Sequence, residues 1–201
     1  MFINRIYGRH ALKIAFGILI LGALLANGAG AQNSYEFVSK IPSDFQWNLL
    51  SSQGIAVDEA GNIYVADTGN DRIQKFSSSG KFLTRWGSSG SSDGKLDGPE
   101  GIAVDNAGNI YVADTGNDRI QKFSSSGKFL ARWGSSGSGD GQFNDPKGVA
   151  VDSDGNVYVA DTGNDRIQKF SSSGKFLTTW GSSGDGKLDA PEGVAVDRDA
   201  N

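Results

Sequence analysis

The 201-residue sequence contains no cysteine. No disulfide, no thiolate nucleophile and no Cys-ligated metal can form in it. Its one histidine, His10, and its one methionine, Met1, both lie near the N-terminus. Imidazole, the side chain that titrates near neutral pH and the commonest metal ligand, is absent beyond residue 10. Proline is scarce, with four residues, and leucine is sparse outside the N-terminus. What remains is rich in glycine (29 residues), β-branched residues and aromatics. That balance indicates an all-β chain with many tight turns.

The N-terminus stands apart. Arg5, Arg9 and Lys13 precede an uncharged apolar run, Ile14 to Ala26, and Ala29-Gly30-Ala31 supplies a small-x-small cleavage pattern. This is the layout of a secretory signal peptide over residues 1–31, cut after Ala31, in a secreted or periplasmic protein. The apolar run has 13 residues, short of the roughly 20 that span a bilayer. An uncleaved anchor is the alternative and the sole membrane contact the sequence offers. Cleavage removes three cations and no acid. It leaves 16 Lys and Arg against 23 Asp and Glu, a net charge of −7. Nucleic-acid affinity depends on neutralising phosphates with Lys and Arg, so a nucleic-acid partner is not expected.

The rest of the chain repeats itself. "YVADTGNDRIQKFSSSGKF" begins at Tyr64, Tyr111 and Tyr158 without one change. The glycine of "GIAVD" or "GVAVD" falls at Gly54, Gly101, Gly148 and Gly193, so the spacings are 47, 47 and 45. A period of this size belongs to a solenoid or a propeller. Each repeat holds four short runs bounded by turn residues, in the first Ile55–Val57, Ile63–Ala66, Arg72–Phe76 and Phe82–Trp86. They read as strands a, b, c and d of an antiparallel meander. The turns "DEAGN" and "SSSGK" place Gly fourth, which suits a type I turn closed by a left-handed residue. Strands a and b are apolar on both faces, while c and d mix in charge. The expectation is buried inner strands and partly wetted outer ones, as in a propeller blade.

"GIAVD–GNIYVADTGNDRIQKFSSSGKFL" resembles the NHL repeat, a family that builds β-propellers, commonly of six blades. The likeness runs over residues 54–201. It implies a β-propeller of four-stranded antiparallel blades, here incomplete, with about three blades plus flanking strands. The expected divisions are a lead-in over 32–53, repeats over 54–100, 101–147 and 148–192, and a partial fourth over 193–201. Tyr35–Ile41 fits the register of an orphan outer strand, which in related propellers completes the last blade. The sequence thus reads as a fragment of a longer product, with a half-propeller that dimerises as the rival reading.

The b–c connection "DTGNDR" has two readings. As a ring of identical polar loops, its Asn70, Asn117 and Asn164, with Asp71, Asp118 and Asp165, would meet a ligand. As a structural loop, Asp67 pairs with Arg72, Asp114 with Arg119 and Asp161 with Arg166. Gly69 then supplies the turn, and the three Asn side chains bond backbone. Sameness in every blade favours structure. "DSDGN" (Asp152–Asn156) hints at calcium but lacks the further ligands of such a loop, so neither metal nor cofactor is expected. Trp86, Trp133 and Trp180 are expected between blades, while Trp47 falls outside the pattern.

The repeats differ in the d–a linkers, "GSSGSSDGKLDGPE", "GSSGSGDGQFNDPK" and "GSSGDGKLDAPE". Variable loops on one face are where binding concentrates. Lys95, Asp97, Glu100, Gln142, Phe143, Asp145, Lys147, Lys187, Asp189 and Glu192 are the candidate ligand-binding residues, with plain solvated linker as the competing reading. Some proteins similar to NHL propellers are lyases or lactone hydrolases with a metal in the central channel. The inner strands here read as small and aliphatic where such ligands would stand, and no catalytic motif occurs. The function expected is an exported interaction scaffold for a protein or glycan. The alternatives are a metal-dependent lyase or hydrolase with its site beyond residue 201, and an extracytoplasmic sensor.

Overall fold

A computed structural model describes residues 48–197. The expected signal peptide, its cleavage after Ala31, the orphan strand Tyr35–Ile41 and Trp47 lie outside the described residues. Twelve strands form three four-stranded antiparallel sheets. The first blade comprises β1 (Gly54–Val57), β2 (Ile63–Asp67), β3 (Arg72–Phe76) and β4 (Phe82–Trp86). The second comprises β5 (Pro99–Val104), β6 (Ile110–Asp114), β7 (Arg119–Phe123) and β8 (Phe129–Trp133). The third comprises β9 (Pro146–Val151), β10 (Val157–Asp161), β11 (Arg166–Phe170) and β12 (Phe176–Trp180). Strands pair in chain order within each blade, and β5 lies beside β1 and β9. The first strands therefore converge on the axis and the fourth form the outer rim, which is the arrangement of a β-propeller.

Turn chemistry fixes each hairpin. Gly61 adopts φ 77° and donates its N–H to the Asp58 carbonyl at 2.9 Å. Asp58 Oδ1 accepts the Asn62 N–H at 2.8 Å, and Oδ2 accepts the Tyr64 hydroxyl at 3.0 Å. Burial pushes the Asp58 carboxyl up, but hydrogen bonds from Asn62 and Tyr64 and the charge of Lys75 outweigh it and hold it below its ordinary range. The third blade repeats this at Asp152, which Asn156 and Tyr158 bond in the same way. The "DSDGN" turn thus spends its first carboxylate on its own hairpin. Among the described residues no cluster of three or more metal-ligating side chains occurs.

The core lies between blades. Tyr64, Ala66 and Ile73 of the first blade pack against Ile102, Ile110, Val112 and Phe123 of the second. Tyr111, Ala113 and Ile120 repeat this against Val149, Val157, Val159 and Phe170 of the third. Trp86 meets Phe123 with ring centroids 6.1 Å apart, and Trp133 meets Phe170 at the same distance. Each indole also lies against a glycine of the next blade's c–d turn. A Cβ on Gly127 would come 2.6 Å from Trp86, and one on Gly174 2.7 Å from Trp133. Trp180 faces no further blade among the described residues and is 43% exposed.

The burial gradient differs from the sequence expectation in two ways. Strand a of the first blade is not buried on both faces: Ile55 is 44% and Val57 55% exposed, because no described blade precedes it. Conversely, the polar residues of strand c are not wetted. Gln74, Gln121 and Gln168 are fully buried, and Arg119 and Arg166 nearly so; the last four hydrogen-bond the linkers that close over them, while Gln74 donates to Asp67 of its own blade.

The glycines that open the first three "G-[IV]-A-V-D" runs, Gly54, Gly101 and Gly148, serve close approach rather than an unusual φ. A Cβ on Gly101 would overlap the Lys147 carbonyl oxygen of the neighbouring axial strand. Forcing apart two packed strands is an overpacking cost of about 1–3 kcal/mol. Gly101→Ala is therefore expected to lower the urea midpoint by that amount of free energy, while alanine at Gly141, whose Cβ would meet nothing within 4 Å but whose φ is 76°, should cost about 1 kcal/mol through its backbone alone.

Candidate functional site

The b–c loop is built around a buried carboxylate. Asp114 accepts hydrogen bonds from Arg119 Nε at 2.6 Å, Gln121 Nε2 at 2.8 Å, Asn117 Nδ2 at 3.0 Å and the Asp97 N–H at 2.8 Å. Asp161 holds the matching set from Arg166, Gln168, Asn164 and the Asn144 N–H. Asp67 does the same with Arg72, Gln74, Asn70 and the Leu50 N–H. In each case the last donor is backbone of the incoming segment, a d–a linker for Asp114 and Asp161 and the lead-in for Asp67, so the carboxylate ties its own blade to the segment that enters it.

The cations finish the clamp. Arg119 Nη1 donates to the Ser91 carbonyl at 2.6 Å, and Nη2 to those of Ser92 and Lys95 at 3.1 and 2.9 Å. Gln121 Oε1 accepts the Gly94 N–H at 2.9 Å and Asn117 donates to the Gly90 carbonyl at 3.0 Å. Arginine's planar fork suits this, because it presents several donors in fixed directions. Arg166, Gln168 and Asn164 grip residues 137–142 likewise.

The remaining letters reach the following blade. Thr68, Thr115 and Thr162 hydroxyls donate to the carbonyls of Pro99, Pro146 and Pro191 at 2.7 to 2.8 Å. Asp71, Asp118 and Asp165 carboxylates accept the N–H groups of Gly98, Asp145 and Ala190 at 2.8 to 2.9 Å. These three Asp residues adopt φ of 50° to 54°. The left-handed position is thus taken by Asp, which tolerates it better than most residues, and not by Gly69 as the sequence suggested. Gly69 serves contact instead: its N–H bonds the Leu50 carbonyl at 2.8 Å, and a Cβ there would fall 2.7 Å from the Leu50 side chain.

The candidate linker residues divide four ways. Lys95, Asp97, Asp145, Lys187 and Asp189 are exposed. Phe143 is not: with Leu96 in the blade before, it is fully buried in the core, packed on Phe170 with ring centroids 5.5 Å apart. An aromatic or leucine here plugs the gap under the linker, so Phe143 is removed from the surface set. Gln142 braces its own loop, accepting the Gly139 N–H at 3.0 Å and donating to the Ser136 carbonyl at 3.4 Å.

The other three candidates stand at the axis. Glu100 and Lys147 are the second residues of β5 and β9, not linker, because strand a begins three residues before its apolar letters, which start at Ile102 and Val149. Glu192 follows in register, and Gln53 precedes by the same 47-residue spacing. This row of Gln53, Glu100, Lys147 and Glu192 corrects the expectation of small and aliphatic inner strands. Lys147 Nζ lies 2.9 Å from Glu192 and 4.0 Å from Asp145. The Glu192 hydrogen bond holds the Lys147 ammonium above its ordinary range and the Glu192 carboxyl below its own. Burial pushes the Glu100 carboxyl up, Lys147 pulls it back, and Asp145 and Glu192 add to the rise.

Sequence reasoning did not single out Gln53, the three loop threonines or the three buried glutamines. The 47-residue register alone would have placed Gln53 on the axial row. Nothing in the letters distinguishes a buried strand glutamine from an exposed one.

The raised Glu100 value has a consequence for stability. The folded state binds more protons there than the unfolded state, so stability falls as pH rises from the ordinary glutamate range through the folded value. Glu100→Gln removes that penalty. Thermal scans should show the variant melting above the parent at pH 7, with the gap closing near pH 4, where both side chains are neutral.

The described residues offer exposed charges on a rigid frame and a carboxylate–ammonium row at the axis. Comparisons with known proteins agree on the class of fold. The family model of the NHL repeat matches residues 53–76, 96–123 and 143–170. The chain belongs to the NHL-repeat proteins, and its sheets are blades of a β-propeller. The solved nidogen/laminin complex contains a similar chain, 27% identical, with a TM-score of 0.55 over 73% of this chain and 52% of that one. A streptogramin B lyase is 22% identical, with a TM-score of 0.52 over 63% of this chain and 39% of that one. The hydrazine synthase of Kuenenia stuttgartiensis is 16% identical, with a TM-score of 0.60 over 83% and 44%. The chain spans about half or less of each of these solved chains. No curated protein sequence matches it.

Proposed function

We propose that the protein is an exported interaction scaffold that recognises a protein or glycan ligand through its linker face. One observation carries this reading. Every polar side chain of the repeated b–c loop is committed to a scaffold bond. The linker side chains of Lys95, Asp97, Lys187 and Asp189 are exposed and make no hydrogen bond among the described residues. Scaffold letters repeat, whereas the second linker replaces the Lys-Leu-Asp of the first and third by Gln142-Phe143-Asn144, as expected where a rigid frame presents variable loops. The likeness to a chain of the nidogen/laminin complex supports a binding role. The charged axial row opens on the same end as the linkers and belongs to the recognition surface. Export rests on the signal-like N-terminus. The competing lyase or hydrolase reading would draw its catalytic groups from outside the described residues.

The test combines Lys95→Ser, Asp97→Ser, Lys187→Ser and Asp189→Ser in one variant. Binding partners are first found on a glycan array and a panel of secreted proteins. The variant should melt within about 2 °C of the parent, since surface changes away from packing stay within ~0.5 kcal/mol, and should lose at least tenfold in affinity. Unchanged affinity, or turnover of a small molecule by the parent protein, would sink the proposal.

A further inference from the structure

A second surface lies at the outer rim, opposite the linkers. Each blade's outer hairpin, strands c and d with their turn, reads "KFSSSGKFLTRW" from Lys75, "KFSSSGKFLARW" from Lys122 and "KFSSSGKFLTTW" from Lys169. These three segments hold eight Lys and Arg and no Asp or Glu. They thus carry half the cations of residues 32–201 on a stretch with net charge −7. Four of the eight are engaged. Lys75 bonds the Ser125 carbonyl, Lys122 and Lys169 lie 3.9 and 3.7 Å from Asp105 and Asp152, and Arg132 is 2.9 Å from Asp93. Lys81, Arg85, Lys128 and Lys175 are exposed, and none has a carboxylate within ion-pair distance among the described residues.

Beside these cations each hairpin shows one large apolar side chain. Leu83 is 45%, Leu130 44% and Leu177 46% exposed. They sit where the fourth strand bulges, between Lys75 and Phe76 in the first blade and at the matching places in the others. The lysine of the turn makes no side-chain hydrogen bond or ion pair among the described residues, and about half of the leucine surface is left open. Yet both are the same in all three blades, whereas nearby positions differ: Thr84, Ala131 and Thr178, or Arg85, Arg132 and Thr179.

We propose that this rim binds an acidic polysaccharide, a chain of sugars carrying carboxylate or sulfate groups. Three identical patches at a fixed structural spacing fit a ligand that is itself a repeat, since each patch engages one segment and the contacts add through effective concentration. The lysine ammonium meets the anionic group and the leucine covers the C–H face of the ring. The net negative charge of the whole chain does not oppose this. Fields between exposed charges are screened beyond about 8–10 Å at physiological salt, so the local sign governs. A single-stranded nucleic acid is less well matched, because such sites stack successive bases on exposed aromatic rings, and here Phe82, Phe129 and Phe176 each pack on a buried phenylalanine of their own blade, so that of the three hairpins the third alone shows a half-exposed ring, Trp180. A flat anionic membrane cannot meet outer rims that face away from the axis in different directions. This surface is separate from the linker face, and either can fail without the other.

The probe is polygalacturonate immobilised on a biosensor, with neutral dextran, oligo-deoxythymidine and phosphatidylserine vesicles alongside. The full chain should bind polygalacturonate at 50 mM salt, weaken steeply by 300 mM, and ignore dextran. Lys81→Glu, Lys128→Glu and Lys175→Glu together should weaken binding at least tenfold, and one of them alone about two- to threefold. The neutral set of three Lys→Gln changes gives the same direction should the charge reversal impair folding. Absence of polygalacturonate binding, binding indifferent to both triple variants, or tighter binding to the oligonucleotide or the vesicles would overturn the proposal.

Discussion

Replacing Asp114 by alanine is expected to destabilise the protein by about 3–5 kcal/mol, the cost of removing one partner from a buried ion pair. The carboxylate is fully buried and collects Arg119, Gln121, Asn117 and the Asp97 N–H. Its loss leaves a guanidinium that is 5% exposed without its counter-charge, strands the Asp97 N–H, and takes one of two acceptors from Gln121 and Asn117. Urea denaturation at neutral pH should register the whole effect, and the melting point should fall by roughly 10 °C or more. Asp67→Ala is the internal control. Arg72 is more exposed, at 17%, so its stranded charge regains water. It also holds one linker carbonyl, of Asn48, where Arg119 holds three. The same letter change one blade earlier should therefore cost clearly less. Equal losses at the two sites would show that the clamp on the linker contributes little.

The second large effect contrasts two tryptophans with the same place in their repeats. Trp133→Ala empties the space between the second and third blades, where the indole meets Phe170 and the Gly174 backbone. A Trp-to-Ala change in such a core costs about 3–5 kcal/mol through lost transfer energy and the cavity left behind. Trp180→Ala removes a half-exposed ring whose main contact is the edge of Tyr158, with centroids 6.0 Å apart, worth roughly 1 kcal/mol. Paired denaturation curves decide this directly. A Trp180 loss as large as that of Trp133 would mean that the outer face of the third blade is covered in solution.

Much of the fold was legible in the letters. The 47-residue period, the four short runs and the glycine-closed turns gave strands whose bounds fall within a residue or two of those observed, because hairpin chemistry is local. What was not legible depends on distance. The strand-a starts at Pro99 and Pro146 read as linker, since only the neighbouring axial strand makes them strands. Phe143 read as a loop aromatic, and its burial comes from a linker folding back over Phe170. The "DTGNDR" loop was separable in kind but not in detail. Pairing of Asp67 with Arg72 follows from spacing, whereas the reach of Thr68 and Asp71 to the next blade is set by packing between repeats. The unvarying spelling of that loop now has a physical cause. It must satisfy its own turn, the linker before it and the blade after it at once, and a change to any letter breaks a bond to another repeat.

Native-state hydrogen exchange on the linker amides tests this account most directly. The N–H groups of Gly94, Asp97, Gly141 and Asn144 are bonded to Gln121, Asp114, Gln168 and Asp161, in segments that are otherwise irregular loop. The account predicts protection approaching that of the core strand β6, with protection at Gly94 and Asp97 lost in Asp114→Ala while that at Gly141 and Asn144 persists. Exchange of these four amides at the rate of an open loop would contradict it, because the repeated motif would then not be what holds the linkers.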